Sequence, residues 1–116
     1  MPYKQGDIVL VLFPFSDLSN QKQRPAIILS NDIVNLNSSD VVVAQITSQI
    51  KNDGFSFYLD SKFLTTPLIK DSEVRCHKIF TAEKTIIRKS ISSLLPEHLS
   101  NLIGKISTEV LGHPPS

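Results

Sequence analysis

Apolar residues occur in short runs separated by polar turns through most of the chain, a pattern typical of β-strands. The predicted strands cover residues 7–13, 25–31, 40–47, 55–59 and 72–82. Residues 40–47 are almost continuously apolar, as expected of a strand that is covered on both faces. Polar residues predict a loop over Pro14–Gln23, and Asn52-Asp53-Gly54 predicts a turn.

The apolar period changes near the C-terminus. From Pro96 onward, apolar residues recur at helical spacing and form one stripe of Leu99, Leu102, Ile103, Ile106, Val110 and Leu111. Pro96 suits a first helical turn, and Gly112 suits a C-terminal end. The pattern predicts a mainly β fold with one C-terminal helix, either a strongly bent sheet or a partly open barrel. Residues 1–112 are predicted to form a single domain, followed by a frayed tail over 113–116.

Alternation in the fifth predicted strand divides its side chains between two faces. Val74 and Cys76 are expected to point inward, so Arg75 and His77 are expected to share the opposite face. Adjacent strand residues point apart, which argues against a hydrogen-bonded nucleophile pair of Cys76 and His77.

Length and composition favour one soluble globular domain. The chain has 116 residues, of which 41% are hydrophobic and 20% charged, as in ordinary soluble proteins. The sequence contains no apolar run of membrane-spanning length and no signal-peptide pattern, so we expect a cytoplasmic protein without a membrane partner. Cys76 is the single cysteine, which excludes an intramolecular disulfide.

The charge balance limits nucleic-acid binding to a local patch. The net charge is +1, far below that of a protein that coats nucleic acid non-specifically. Basic residues are concentrated in one segment, as Arg75, Lys78, Lys84, Arg88 and Lys89. This segment predicts either a positive face or an ordinary solvated lysine-rich loop.

Several familiar catalytic patterns are missing from the sequence. It has no glycine-rich phosphate loop, no His-Glu-x-x-His motif and no cysteine pair for zinc. His77, His98 and His113 are too scattered for a convincing ligand set. The sequence therefore predicts no metal and no cofactor.

Four polar residues near predicted strand ends fit one kind of chemistry. Arg24, Thr47, Arg75 and His77 supply two guanidinium groups, a hydroxyl and an imidazole. Each residue alone is ordinary, an arginine paired with a surface carboxylate or a threonine bonded to its own backbone. Together they suit the binding of a phosphodiester and the stabilisation of its transition-state charge.

Four segments, in order, resemble the MazF/PemK (Kid-like) toxins of bacterial type II toxin–antitoxin systems. They are residues 6–11, residues 24–31, the strand end Gln45-Ile46-Thr47-Ser48, and Glu73-Val74-Arg75-Cys76. The resemblance covers nearly the whole chain. It implies an SH3-like or CcdB-like barrel, a homodimer, and metal-independent cutting of single-stranded RNA. It also implies a cognate antitoxin as partner, with DNA contacted only indirectly through that antitoxin.

The resemblance also assigns candidate site residues. Arg24 matches the family's arginine before proline, Thr47 its threonine before serine, and Arg75 an arginine of the PemK-like branch. That branch has an acidic residue where this chain has His77, so His77 is predicted to act as the base instead. The predicted RNA-binding residues are Ser16, Asp17, Ser19, Asn20, Gln23, Ser48 and Lys78.

The predicted reaction is attack by the ribose 2′-hydroxyl on the adjacent phosphorus, which leaves a 2′,3′-cyclic phosphate and a 5′-hydroxyl. Two other functions stay open on the sequence. The barrel could be a CcdB-type poison that binds gyrase without chemistry, or a relative that binds RNA but cuts it slowly. Arg24 and Thr47 would matter little to the gyrase poison.

Overall fold

A six-stranded antiparallel sheet dominates the computed structural model, which describes residues 3–14 and 21–113. Its strands are β1 (Asp7–Pro14), β2 (Gln21–Ile28), β3 (Asp40–Thr47), β4 (Ser56–Tyr58), β5 (Glu73–Glu83) and β6 (Ile87–Ser93). Their order is β4-β5-β3-β2-β1-β6, which places β4 and β6 at the edges. Helix α1 (Asp32–Asn37) joins β2 to β3, and α2 (Pro96–Lys105) continues as a π-helical turn over Ile106–Val110.

An apolar cluster lies on each face of the sheet, because alternate residues of the central strands point to opposite sides. Val41 and Val43 of β3 belong to one cluster, and Ala44 and Ile46 to the other. The prediction that β3 is covered on both faces is confirmed. Its predicted bounds, residues 40–47, also match those observed.

Helix α2 covers the cluster that contains Ala44 and Ile46. It begins at Pro96 as predicted, and Leu102 and Ile106 of its apolar stripe are buried against that cluster. Leu111 is 67% exposed, so its place in the predicted stripe is wrong. The helical period changes at Ile106 and the helix ends at Val110, which takes Leu111 out of register with the stripe.

The β1–β2 hairpin is longer than predicted. The predicted loop over Pro14–Gln23 is wrong at both ends, because Pro14 pairs with Gln21 and Leu12 pairs with Gln23. A strand ladder is made by backbone groups, so polar side chains do not stop it. The predicted strand over 25–31 instead ends at Ile28. Residues 15–20, and 114–116 of the predicted tail, lie outside the described residues.

Helix α1 and strand β6 were not predicted. Helix α1 begins where Asn31 accepts a hydrogen bond from the Ile33 amide at 3.0 Å, so the expectation of a single helix is wrong. Strand β6 follows a 3₁₀ turn after β5 and pairs with β1 through two register shifts. In the described part of the chain, no helix is long and apolar enough to cross a membrane.

Strand β5 does not alternate as predicted. Val74 and Cys76 are buried as expected, but Arg75 between them is buried too, while His77 is exposed. The pairing of β3 with β5 is interrupted here, since Ala44 pairs with Ile79 but Ile46 with Val74. Residues 75–78 therefore form an irregular segment opposite a single residue of β3, and such bulges redirect side chains.

Candidate nucleic-acid cleft

A cleft of about 630 Å³ opens beside the middle of β2, the end of β3 and the irregular segment of β5. Ala26 of β2 pairs with Gln45 of β3. In an antiparallel pair, two steps back along β2 correspond to two steps forward along β3, which brings Arg24 and Thr47 to the same level. Both residues line the cleft.

The cleft is lined by basic, polar and apolar side chains. Its polar and basic residues are Arg24, Gln45, Thr47, Ser48, Gln49, Lys51, Lys70, Ser72, Arg75 and Lys78. Its apolar residues are Pro25, Ile46, Leu68, Ile69 and Ile91. None of the lining residues in the described part of the chain is acidic. Five cationic side chains thus share one cleft in a molecule of net charge +1.

Thr47 is held at the end of β3 by a local hydrogen bond. Its Oγ1 accepts from the Gln49 amide at 3.1 Å, as β3 turns into the following loop. A hydroxyl that accepts one bond keeps its own proton for donation. Thr47 can therefore present an oriented O–H donor to an anion in the cleft.

Arg75 is fixed by two carboxylates. Its Nη1 donates to Glu73 Oε2 at 2.7 Å, and its Nη2 lies 3.0 Å from Asp53 Oδ2. The Glu73 hydrogen bond is the largest cause that raises the pKa of Arg75, and burial opposes it. Burial also acts to raise the pKa of Asp53, but the hydrogen bond from Arg75 and its charge prevail and lower that pKa below 3.8.

His77 does not line the cleft. Its ring packs edge-on against Phe55, with the two ring centroids 4.5 Å apart, and the Arg75 guanidinium lies 5.4 Å from the centroid of the same Phe55 ring. The structure thus brings Arg24, Thr47 and Arg75 together and leaves the predicted base outside this group. The expectation that Arg75 and His77 share a face fails, since the ion pairs of Arg75 draw it inward.

The predicted RNA-binding residues divide into three groups. Ser48 and Lys78 line the cleft. Gln23 is exposed on β2, opposite Leu12, and does not line it. Ser16, Asp17, Ser19 and Asn20 lie outside the described residues.

Lys51 and Lys70 line the cleft but were not selected from the sequence. Both lie in segments without regular structure, where hydrophobic periodicity gives no direction for a side chain. Of the predicted basic segment, only Arg75 and Lys78 reach the cleft. Lys84 instead donates to the backbone oxygen of Asn35.

Cys76 is not a nucleophile candidate in this fold. Its side chain is buried, and burial raises the pKa of the thiol to about 11, so the thiol stays protonated at neutral pH. The exposed ring of His77 lies on the other side of the strand, in contact with Phe55.

Residues 4–109 match a protein family described as the PemK-like, MazF-like toxin of type II toxin–antitoxin systems. Among solved structures, a mycobacterial endoribonuclease in complex with its cognate antitoxin is 21% identical, with a TM-score of 0.75 over 98% of this chain and 99% of that one. A MazE–MazF structure from Deinococcus radiodurans is 18% identical, with a TM-score of 0.79 over 98% and 100% of the two chains. The Mycobacterium tuberculosis toxin MazF-mt6 is 22% identical, with a TM-score of 0.63 over 85% and 95%.

Proposed function

This chain belongs to the PemK-like, MazF-like toxin family of type II toxin–antitoxin systems, and on that basis we propose that it is an endoribonuclease that cuts single-stranded RNA in the cleft without a metal. One observation carries the proposal. Five cationic side chains and the Thr47 hydroxyl line one cleft, and none of the described lining residues is acidic. A polyanion with a phosphodiester at its reacting centre fits such a surface.

The proposed reaction is an in-line displacement at phosphorus. The ribose 2′-oxygen gives up its proton and forms a bond to phosphorus, while the bond to the 5′-oxygen breaks and that oxygen takes up a proton. The products are a 2′,3′-cyclic phosphate and a 5′-hydroxyl. Negative charge grows on the non-bridging oxygens, so donors placed there before the reaction stabilise the transition state most.

Arg24 and Thr47 are the proposed donors to those oxygens. The guanidinium of Arg24 offers paired N–H donors to a phosphate. The hydroxyl of Thr47 donates one further hydrogen bond from the neighbouring strand. Arg75 has three N–H donors beyond the two that bond to Glu73 and Asp53, and we propose that it stabilises charge at the leaving oxygen.

His77 lies outside the cleft and is not the proposed base. The ring packs on Phe55 and is not among the lining residues of the cleft. A general base must come within hydrogen-bond reach of the proton that it removes, directly or through one water molecule.

The proposed partners follow from the family and from the charge of the cleft. We propose that a cognate antitoxin covers the cleft with an acidic segment, since its cationic lining attracts carboxylates as well as phosphates. The toxin would meet DNA only through that antitoxin. We further propose that it acts in the cytoplasm on messenger RNA, as a homodimer.

A pair of arginine variants tests the proposed function. Arg24→Ala should lower kcat/KM for RNA cleavage by about 10²–10³-fold, the range for loss of one transition-state donor. Arg88→Ala is the matched control, because it removes the same charge from an exposed position on β6 outside the cleft. Equal cleavage by wild type and Arg24→Ala would overturn the assignment. Growth inhibition with intact RNA would indicate a poison that acts by binding a protein.

A further inference from the structure

The loop after β3 is attached to the sheet by one buried carboxylate. Glu73 is 1% exposed and uses both of its oxygens. Oε1 accepts from the backbone amides of Lys51 at 3.0 Å and Asn52 at 3.1 Å, and Oε2 accepts from Arg75 at 2.7 Å. Glu73 therefore joins the loop backbone to the guanidinium.

The same loop is held at two further points. Asp53 contacts Arg75 through Oδ2 at 3.0 Å, and its Oδ1 accepts from the Phe55 amide at 3.3 Å. Asn52 lies between these anchors with a φ of +50°, in the left-handed region that asparagine tolerates better than most residues. The backbone is thus fixed on both sides of a tight turn.

Lys51 is the cationic side chain that this arrangement presents. Its amide is bound to Glu73, whereas its side chain is exposed and lines the cleft beside Thr47, Ser48 and Gln49. A long lysine side chain loses much rotamer freedom when it binds. Binding would also have to order the loop backbone if the loop were free. Because the backbone is already fixed, this second entropy cost is reduced.

We propose that Glu73 is a positioning residue that acts through Lys51, and that Lys51 contacts a phosphate of the RNA backbone. The inference rests on the proposed endoribonuclease function. It adds a binding residue and the buried group that places it. Arg75 is part of the same support, since it neutralises the charge that Glu73 carries into the interior.

Salt dependence of RNA binding gives the sharpest test. The probe is a mixed-sequence 20-nucleotide RNA with 2′-O-methyl groups, which cannot supply the attacking hydroxyl. Each phosphate contact to a single strand contributes about 0.7 to the slope of log K against log salt concentration. Lys51→Ala should lower the magnitude of the slope by about 0.7, and Lys51→Arg should restore it. Lys62→Ala removes an exposed charge outside the cleft and should leave the slope unchanged.

The role of Glu73 is tested in the same assay by a double variant. Glu73→Leu removes both acceptor oxygens, so it should reproduce the loss seen in Lys51→Ala, and the double variant should lose no more than either single one. Amide hydrogen exchange should speed up at residues 51 and 52 in Glu73→Leu and stay unchanged along β1. Lys51→Ala leaves the buried carboxylate intact, so it tests the proposal even if Glu73→Leu does not fold.

Each failure has a distinct signature. A wild-type slope retained in Lys51→Ala would overturn the role of Lys51. A double variant that loses the sum of both effects would overturn the claim that Glu73 acts through Lys51. A wild-type protein that does not bind the probe would overturn the proposed RNA function together with this inference.

Discussion

At the scale of single residues, the cleft combines cations that differ in how firmly they are fixed. Arg75 is buried and shared between Glu73 and Asp53, whereas the side chains of Lys51, Lys70 and Lys78 are exposed. A fixed guanidinium suits orientation at the reacting phosphate, and exposed lysines suit the neighbouring phosphates. Substitution of Arg75 should therefore affect the kinetics of RNA cleavage differently from substitution of a lysine.

His77 is the residue whose predicted role the geometry favours least. We expect His77→Ala to keep kcat within about tenfold of wild type, whereas loss of a general base costs about 10²–10⁴-fold. Single-turnover cleavage of RNA measures this directly. A hundredfold loss with unchanged folding would return the base role to His77.

The Asp53–Arg75 ion pair should contribute stability that depends on pH. The folded pKa of Asp53 lies below its ordinary value of 3.8, because Arg75 outweighs the effect of burial. The pair therefore stabilises the fold fully above that ordinary value, and the contribution is lost as pH falls through the folded pKa.

Urea unfolding of wild type and Asp53→Asn across acidic pH checks this prediction. The difference in the free energy of unfolding should stay constant above about pH 5 and shrink at lower pH. Lys62→Ala, which removes a charge far from the pair, should show no such change. A difference that stays constant down to the acid limit of folding would contradict the assignment.

At the scale of elements, the start of β1 lies beside the ends of β2 and β6 at Gly6. Its amide donates to Ile28 O at 2.8 Å and its carbonyl accepts from the Leu94 amide at 2.9 Å, with a φ of +93°. An added Cβ would lie 3.1 Å from Leu99 Cδ2 and 3.4 Å from Leu94 O. Both the backbone conformation and the packing on α2 require glycine here.

A pair of glycine variants tests this junction. Gly6→Ala should lower the free energy of unfolding by about 1–3 kcal/mol, the cost of an unfavourable backbone conformation. Gly104→Ala should raise it by up to about 1 kcal/mol, since this helical glycine has open space around it. Urea denaturation measures both. Equal effects of the two substitutions would contradict the special role of Gly6.

How far the elements could be predicted depended on their place in the sheet. Central β3 and helix α2 bury regular apolar patterns, so periodicity located both. Edge strand β6 buries few side chains and pairs with β1 through register shifts. Its apolar residues therefore do not alternate regularly with polar ones. Helix α1 has only six residues and exposes Ile33 and Leu36, so its one clear signal was the Asn31 cap.

The candidate site could be predicted where strands carry it. Arg24 and Thr47 were both selected from the sequence, and both line the cleft from neighbouring strands. Glu73 and Lys51 meet through a hydrogen bond between residues 22 positions apart, across an irregular loop. Such a contact depends on the course of the loop after β3, which no local pattern reveals.

At the scale of the whole molecule, a nearly neutral chain concentrates positive charge in one cleft. The net charge is +1, yet five lining residues are cationic and no described lining residue is acidic. Asp53 and Glu73, the acidic residues that contact Arg75, do not line the cleft. The positive electrostatic potential is therefore local to the cleft. This favours the binding of a specific polyanion over general binding to nucleic acid.

The proposed activity of this cleft is the cutting of RNA by attack of the 2′-hydroxyl without a metal. The most direct measurement is the mapping of fragment ends after incubation of purified protein with a long mixed-sequence RNA in EDTA. We predict discrete cuts that carry 2′,3′-cyclic phosphate and 5′-hydroxyl ends, and that disappear when the ribose at the cut site is 2′-deoxy. Intact RNA would rule out the proposed ribonuclease activity, and cuts that persist at a 2′-deoxy site would rule out attack by the 2′-hydroxyl.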